Sequence, residues 1–193
     1  MEFHLVYRGL LKSGVGASEK KRMKQQIRRK FHPQMKNLWK EQPLRKQIDD
    51  FVLRIDPRYE GEESCLIRRV GPFAFVPLVS SKIFLTAKID VEFFRPQSPG
   101  DLVKHGGDLD NRMKTLLDAL RMPKDGNELP PDDSPGGDET PFFCVLEDDG
   151  LITGISIDTT QLLETVEDPA EVLLIIRIRT AATRRDYRNL VLD

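Results

Sequence analysis

The stretch from Lys82 to Phe93 constrains the fold of this chain more than any other. Ile83, Leu85, Ala87, Ile89, Val91 and Phe93 alternate with Lys82, Phe84, Thr86, Lys88, Asp90 and Glu92. A period of two belongs to extended chain, whose successive side chains point to opposite faces. The pattern predicts a half-buried strand, in a sheet with one face on an apolar core and the other toward water. Phe3 to Leu11 predicts a first strand, and Leu151 to Ile157 and Val172 to Arg179 predict two more, with a short helix or turn around Thr160 to Glu167. Between Ser64 and Ser81 two apolar runs are interrupted by Gly71-Pro72 and Pro77, as expected of strands at a sheet edge or in a hairpin.

Helical spacing appears in three places. Ser18 is placed to cap a helix beginning near Glu19, in which Met23, Ile27 and Phe31 fall four apart; Pro33 is expected to kink or end it. A second piece is predicted through Leu38, Trp39, Leu44, Ile48, Phe51 and Val52, with a break near Pro43, and Trp39 reads as a packing residue. Met113, Leu116, Leu117 and Leu120 form the apolar stripe of a third helix, entered from the Pro- and Gly-rich loop Arg95 to Gly107. Met122 to Pro141, crowded with prolines, glycines and acids, is expected to be a flexible acidic insertion within 122–143. About five or six strands and three or four helices in no regular alternation predict a single α+β domain over residues 1–193, a mixed sheet with helices packed on it. A chain of 193 residues is long enough to bury one substantial core.

With 39% hydrophobic and 32% charged residues the chain is too apolar for wholesale disorder. No apolar run approaches the roughly 20 residues of a spanning helix, and Met1 to Lys12 lacks the order of a signal peptide, so a cytoplasmic protein without a membrane partner is expected. Cys65 and Cys144 form neither a CxxC nor a CxxxH pattern and read as small apolar residues.

The net charge of −1 hides a strong segregation. Glu19 to Lys46 holds eleven Lys or Arg against two Glu, a local net of +9, whereas Asp125 to Asp149 holds nine acids and no Lys or Arg. Such a basic helix is either a solvated face or a surface for phosphate backbone. On the second reading Lys20, Lys21, Arg22, Lys24, Arg28, Arg29 and Lys30 are the candidate DNA contacts, joined by Arg177, Arg179, Arg184, Arg185 and Arg188 near the end of the chain.

Candidate chemistry lies where a loop enters the third helix, in Asp108-Leu109-Asp110-Asn111-Arg112-Met113-Lys114. Residues four apart share a helical face, so Asp110, Lys114 and Asp118 line one side, opposite the apolar stripe, with Asp108 beside Asp110. Helix capping and an i, i+4 ion pair account equally well for Asp108 and Asp110. A second cluster, Glu147-Asp148-Asp149, precedes the apolar run Leu151-Ile152 and either ends the acidic loop or converges on the first. Convergent carboxylates suit a hard divalent cation such as Mg2+, with Lys114 placed to meet charge developing on a phosphate. The histidines His4, His32 and His105 are scattered and form no competing triad, and His105 reads as a loop residue.

The order D-L-D-N, Lys114 four residues after Asp110, D-A-L at the helix end and a D-D pair before an apolar strand resembles the RusA family of Holliday-junction resolvases. The likeness covers about 50 residues, Asp108 to Ile157, with the acidic insertion inside it. It implies a RusA-like α+β fold and a homodimeric, Mg2+- or Mn2+-dependent endonuclease that makes paired nicks in branched DNA. By position it implies Asp108, Asp110 and Asp149 as metal carboxylates, Asp148 as an adjacent one, and Lys114 as the catalytic lysine. A second expectation is a non-catalytic nucleic-acid-binding or interaction protein retaining this fold, and a third is a metal-dependent phosphohydrolase acting on nucleotides, which would not need the +9 segment.

Overall fold

In the computed structural model the described residues are 1–51, 66–98, 108–185, 189–190 and 192; of Asp49, Asp50 and Asp108 the backbone alone is described. Val52, Cys65, His105 and Arg188, named above, lie outside the described residues. The alternating stretch is strand β4 (Leu85–Arg95), with Leu85, Ala87, Ile89, Val91, Phe93 and Arg95 buried in strict alternation, while Ser81–Ile83 ahead of it forms a 3-10 turn. β4 lies inside a mixed four-stranded sheet with β1 (Glu2–Leu10), β6 (Ile152–Gln161) and β7 (Glu171–Ala182), in the order β1-β7-β4-β6. β7 is antiparallel to both β1 and β4, and β6 runs parallel to β4. A second sheet holds β2 (Arg68–Val70), β3 (Phe73–Val79) and β5 (Phe142–Leu146) in the order β2-β3-β5. The β2–β3 hairpin turns at Gly71, whose φ of 55° is a left-handed conformation that glycine adopts without strain. Pro77 is tolerated because β2 pairs only as far as Phe75, so among the described residues no strand pairs with that side of β3 at Pro77.

Helix α1 (Ala17–Leu38) packs Met23, Ile27, Phe31 and Met35 into the core, extending the expected stripe by one turn. Of the two outcomes expected of Pro33, a kink or an end, the end does not occur: the helix continues through it to Leu38. The proline costs one backbone hydrogen bond on an exposed face, while Met35 and Trp39, both fully buried, hold the last turns down. Gln34 adds a tether, its Oε1 accepting from the Val6 N–H at 2.9 Å and its Nε2 donating to the Val6 carbonyl at 2.7 Å, which also occupies the outer edge of β1. Ser18 is not the cap: the helix starts at Ala17 after Gly16, with no side-chain cap bond. Among the described residues the predicted second piece is a 3-10 turn at Leu44–Lys46 followed by helix α2 (Ile48–Phe51). Helix α3 (Asp108–Leu120) lies beside α1, burying Met113, Leu116, Ala119 and Leu120. Among the described residues no helix is long and apolar enough to cross a membrane.

The boundary of the insertion is corrected. Phe142 and Phe143, placed within it by sequence, belong to β5, every residue of which is buried. The remainder holds no strand but is anchored at both ends of its course. Leu129 is buried against Val70, Phe73, Phe75, Phe142 and Cys144, closing the outer face of the small sheet as a second core. Arg29 of α1 holds Asp133 at 2.9 Å and Glu139 at 2.9 Å, and Lys36 reaches Asp138 at 3.3 Å. The His32 ring Nδ1 accepts from the Phe143 N–H at 2.9 Å, so its Nε2 carries the proton and donates to the Asp138 carbonyl at 3.0 Å. Burial pulls the His32 pKa down, in keeping with that neutral ring.

Arg28 is 1% exposed, and its guanidinium joins the two long helices. Nε donates to the Arg121 carbonyl at 3.0 Å and an Nη to the Asp118 carbonyl at 2.7 Å. Burial lowers its pKa to about 10, which leaves it charged at neutral pH. Arg28→Ala should therefore cost about 3 kcal/mol in urea denaturation, since it strands buried carbonyls and opens a cavity; a loss below about 1 kcal/mol would contradict this role.

Candidate functional site

Asp110, Lys114 and Asp118 descend one side of α3 at intervals of four and line a cleft of about 750 Å³. Met113 and Leu117 contribute to its floor, so the apolar stripe is not wholly on the opposite side. The facing wall is Asp149, Gly150 and the start of β6 through Ile155. One residue from each acidic cluster, Asp110 and Asp149, thus lines the same cleft.

The path of the chain explains how Asp149 arrives there. β5 runs parallel to β3 and ends at Leu146, after which the Glu147 N–H donates to the Val79 carbonyl at 2.9 Å. The Glu147 carboxylate is consumed by the scaffold, accepting from the Ser80 hydroxyl at 2.6 Å and the Ser81 N–H at 3.0 Å and pairing with Arg68 at 3.0 Å. Burial raises its pKa, but these donors outweigh burial and the net direction is down. Asp148 then closes the turn, its Oδ1 accepting from the Gly150 N–H at 2.8 Å, and a 3-10 turn at Asp149–Leu151 leads into β6. A Cβ on Gly150 would fall 2.9 Å from that Oδ1, so a side chain there would make the Asp148 carboxylate shift from its bond. The Gly150 N–H bond, with Lys124 beside it, holds the Asp148 carboxyl below its usual range.

Asp148 does not join Asp110. It lines a second cleft of about 380 Å³ with Ser81, Lys124 and Glu147. Among the described residues no three His, Cys, Asp or Glu side chains converge as a metal-holding group. The expected ligand set is therefore represented by Asp110 and Asp149, with the backbone of Asp108 two residues ahead in the first turn of α3.

The basic candidates divide sharply. Lys24 is buried, 3.5 Å from Asp118, and burial pulls its ammonium pKa down. Arg28 serves the interior, and Arg29 is taken by Asp133 and Glu139. These three are corrected from DNA contacts to structural cations. Lys20 and Lys21 are half-exposed, and Arg22 and Lys30 exposed. Lys20 lines a small polar cavity with Lys12, Asn111 and Thr115, which places the basic start of α1 beside the acidic start of α3. Arg177 and Arg179 both hold Asp90, at 3.0 and 2.7 Å, on the outward face of the large sheet, and Arg184 lies over the Phe84 ring.

Arg121 escaped the sequence reading because nothing distinguishes it from a solvent-facing residue at a helix end. It is 3% exposed, and its two Nη atoms donate to Glu128 at 2.8 and 2.9 Å. It also reaches Asp118 at 3.3 Å, and its Nε lies 3.8 Å from Asp149, so it connects both walls of the cleft. No family model, curated protein or solved structure matches the chain.

Burial raises the Glu128 pKa, but Arg121 and the Lys124 N–H outweigh it and bring it down to about 2. A depressed carboxyl means that the unfolded chain binds the proton more readily, so stability rises with pH through this window. The stability gap between the wild type and Glu128→Gln should be fully present above about pH 4.5 and vanish as pH falls toward 2. Urea titrations across that range would test it; a gap independent of pH would remove the ion pair from the support of the cleft.

Proposed function

We propose that this chain is a divalent-metal-dependent, structure-selective DNA endonuclease of the RusA type, resolving four-way junctions by paired nicks as a homodimer. The observation that supports this most is the meeting of Asp110 and Lys114 of α3 with Asp149 in one cleft. The donors fit Mg2+ or Mn2+, being carboxylate oxygens on a helix start and a turn, and such ions keep several positions for water and substrate phosphate. Asp110 and Asp149 would hold the ion, with Asp108 as the third carboxylate. When bound, the ion acts as a Lewis acid on the scissile phosphate and lowers the pKa of an attacking water.

The chain itself contributes position and charge. Lys114, exposed one turn after Asp110 on the same face, brings an ammonium to the phosphate and stabilises charge on the leaving oxygen. Lys20, Lys21 and Arg22, at the end of α1 nearest Asn111, attract the flanking phosphates by charge, and this contribution falls with salt. A two-fold pair of chains presents the same cleft to each of the two equivalent scissile phosphates of a junction.

On a labelled four-way junction with Mg2+, Asp110→Asn should reduce nicking by more than roughly 100-fold, beyond what loss of an outer metal partner costs. Junction affinity should stay unchanged or rise, because a negative charge facing the backbone is removed. Lys114→Met should also lose nicking while retaining binding. Wild-type nicking by Asp110→Asn would refute the assignment and return Asp110 to a helix-start role. Light scattering at micromolar concentration, with and without junction, should find the dimer; a monomer in both conditions would reject it.

A further inference from the structure

The Asp148–Asp149 turn already carries a cation of its own. Lys124 Nζ lies 3.6 Å from Asp148 and 3.5 Å from Asp149, reaching them from the side of the second cleft. One ammonium within reach of both carboxylates bridges a like-charged pair. Arg121 stands on the other side of Asp149, and the two cations differ in freedom. Arg121 has a side chain only 4% exposed and is clamped by Glu128, whereas the Lys124 side chain is 54% exposed. The main chain of Lys124 is tied down, its N–H donating to Glu128 at 3.3 Å, so only the side chain is at liberty to leave.

We propose that Lys124 is an internal counter-ion of the Asp148–Asp149 pair that an incoming divalent ion must displace. This rests on the metal reading of Asp110 and Asp149 given above. Arg121 is already matched by Glu128, so of the two negative charges on the Asp148–Asp149 pair Lys124 cancels one, and a divalent ion arriving with the ammonium in place would meet half the negative charge it finds once Lys124 has left. Arg121 is locked; Lys124 is the one that moves. Once it swings out, its ammonium remains tethered at the rim of the turn, where phosphate oxygens can receive it. In the absence of metal the same ammonium offsets the repulsion between the two aspartates, while the turn that aims Asp149 into the cleft is held by the Asp148–Gly150 bond and does not depend on it.

The test is Mn2+ titration of the full-length protein without DNA, followed by calorimetry or by the loss of the free-ion electron-spin signal. Lys124→Met should bind Mn2+ roughly three- to tenfold more tightly than the wild type, the range that two half-exposed ion pairs supply. Lys124→Arg, which keeps the charge, should stay within roughly twofold of the wild type, and Asp149→Asn should bind more weakly. Equal affinity of Lys124→Met and wild type would overturn the counter-ion role alone. Binding by none of the proteins, or binding indifferent to Asp149→Asn, would overturn the metal reading together with it. Because Lys124 is exposed, its loss should leave the urea midpoint nearly unchanged, and tighter Mn2+ binding then reports the removed competitor rather than a rearranged fold.

Discussion

The buried guanidinium of Arg28 is the interaction on which the cleft depends. The last carbonyls of an α-helix have no partners within the helix and form the negative end of its dipole. In α3 those of Asp118 and Arg121 are met by a cation supplied from α1, so the cap of one helix is a side chain of the other. A charge removed so fully from water is tolerated only when its donors are satisfied; here Gln25 at 3.3 Å takes a further one. The bonds set where α3 lies along α1, and with it which face of α3 turns toward β6. That face carries Asp110, Lys114 and Asp118. Arg121, whose carbonyl Arg28 holds, extends the same network to Asp118, Glu128 and Asp149, so helix packing and the position of the candidate carboxylates share one set of contacts.

Elements with one wet face were legible in the sequence, and elements without one were not. β4 shows its alternation because one side of the large sheet meets water, and α3 shows its stripe because Asp110, Asn111 and Lys114 remain outside. β5 has no such contrast. It is covered by the main core on one side and by Leu129 with the small second core on the other, and a short run of apolar residues buried on both faces carries no period. β3 is equally buried, but its Gly71-Pro72 turn announces the hairpin. That the helix continues past Pro33 was not legible for a related reason: the local rule is sound, but Trp39 and Gln34 hold the helix by contacts distant in sequence.

At the candidate site, the face shared by Asp110, Lys114 and Asp118 followed from helical geometry alone. The separation of Asp148 from Asp149 did not, since it depends on a turn in which Asp148 spends an oxygen on the Gly150 N–H and Glu147 is consumed by two serines and an arginine. Nor can charge counting identify which lysines are spoken for. Lys24, Arg28 and Arg29 sit among other basic residues in the sequence, yet each faces a specific acceptor from a segment about ninety or more positions away, Asp118 at a separation of 90 from Arg28 and Glu139 at 110 from Arg29.

The segregated charge of the chain therefore resolves into a pairing and a remainder. The acidic segment does not project as a free tail; it lies on the middle of α1, where Asp133, Asp138 and Glu139 meet Arg29 and Lys36. The pairing leaves uncovered the first turns of α1, with Lys20, Lys21 and Arg22 next to the start of α3, and Lys30 further along the helix. Since attraction between exposed charges decays over about 10 Å at 0.1 M salt, only cations near the acidic cleft can help draw a polyanion toward it. The sequence count of +9 overstates the attraction, because α1 spends its central charges on holding the protein together and keeps a smaller set at the end where the carboxylates gather. The near-neutral charge of the sequence thus covers two different uses: opposite charges are consumed against each other along the middle of α1, and opposite charges are kept apart, side by side, at its beginning.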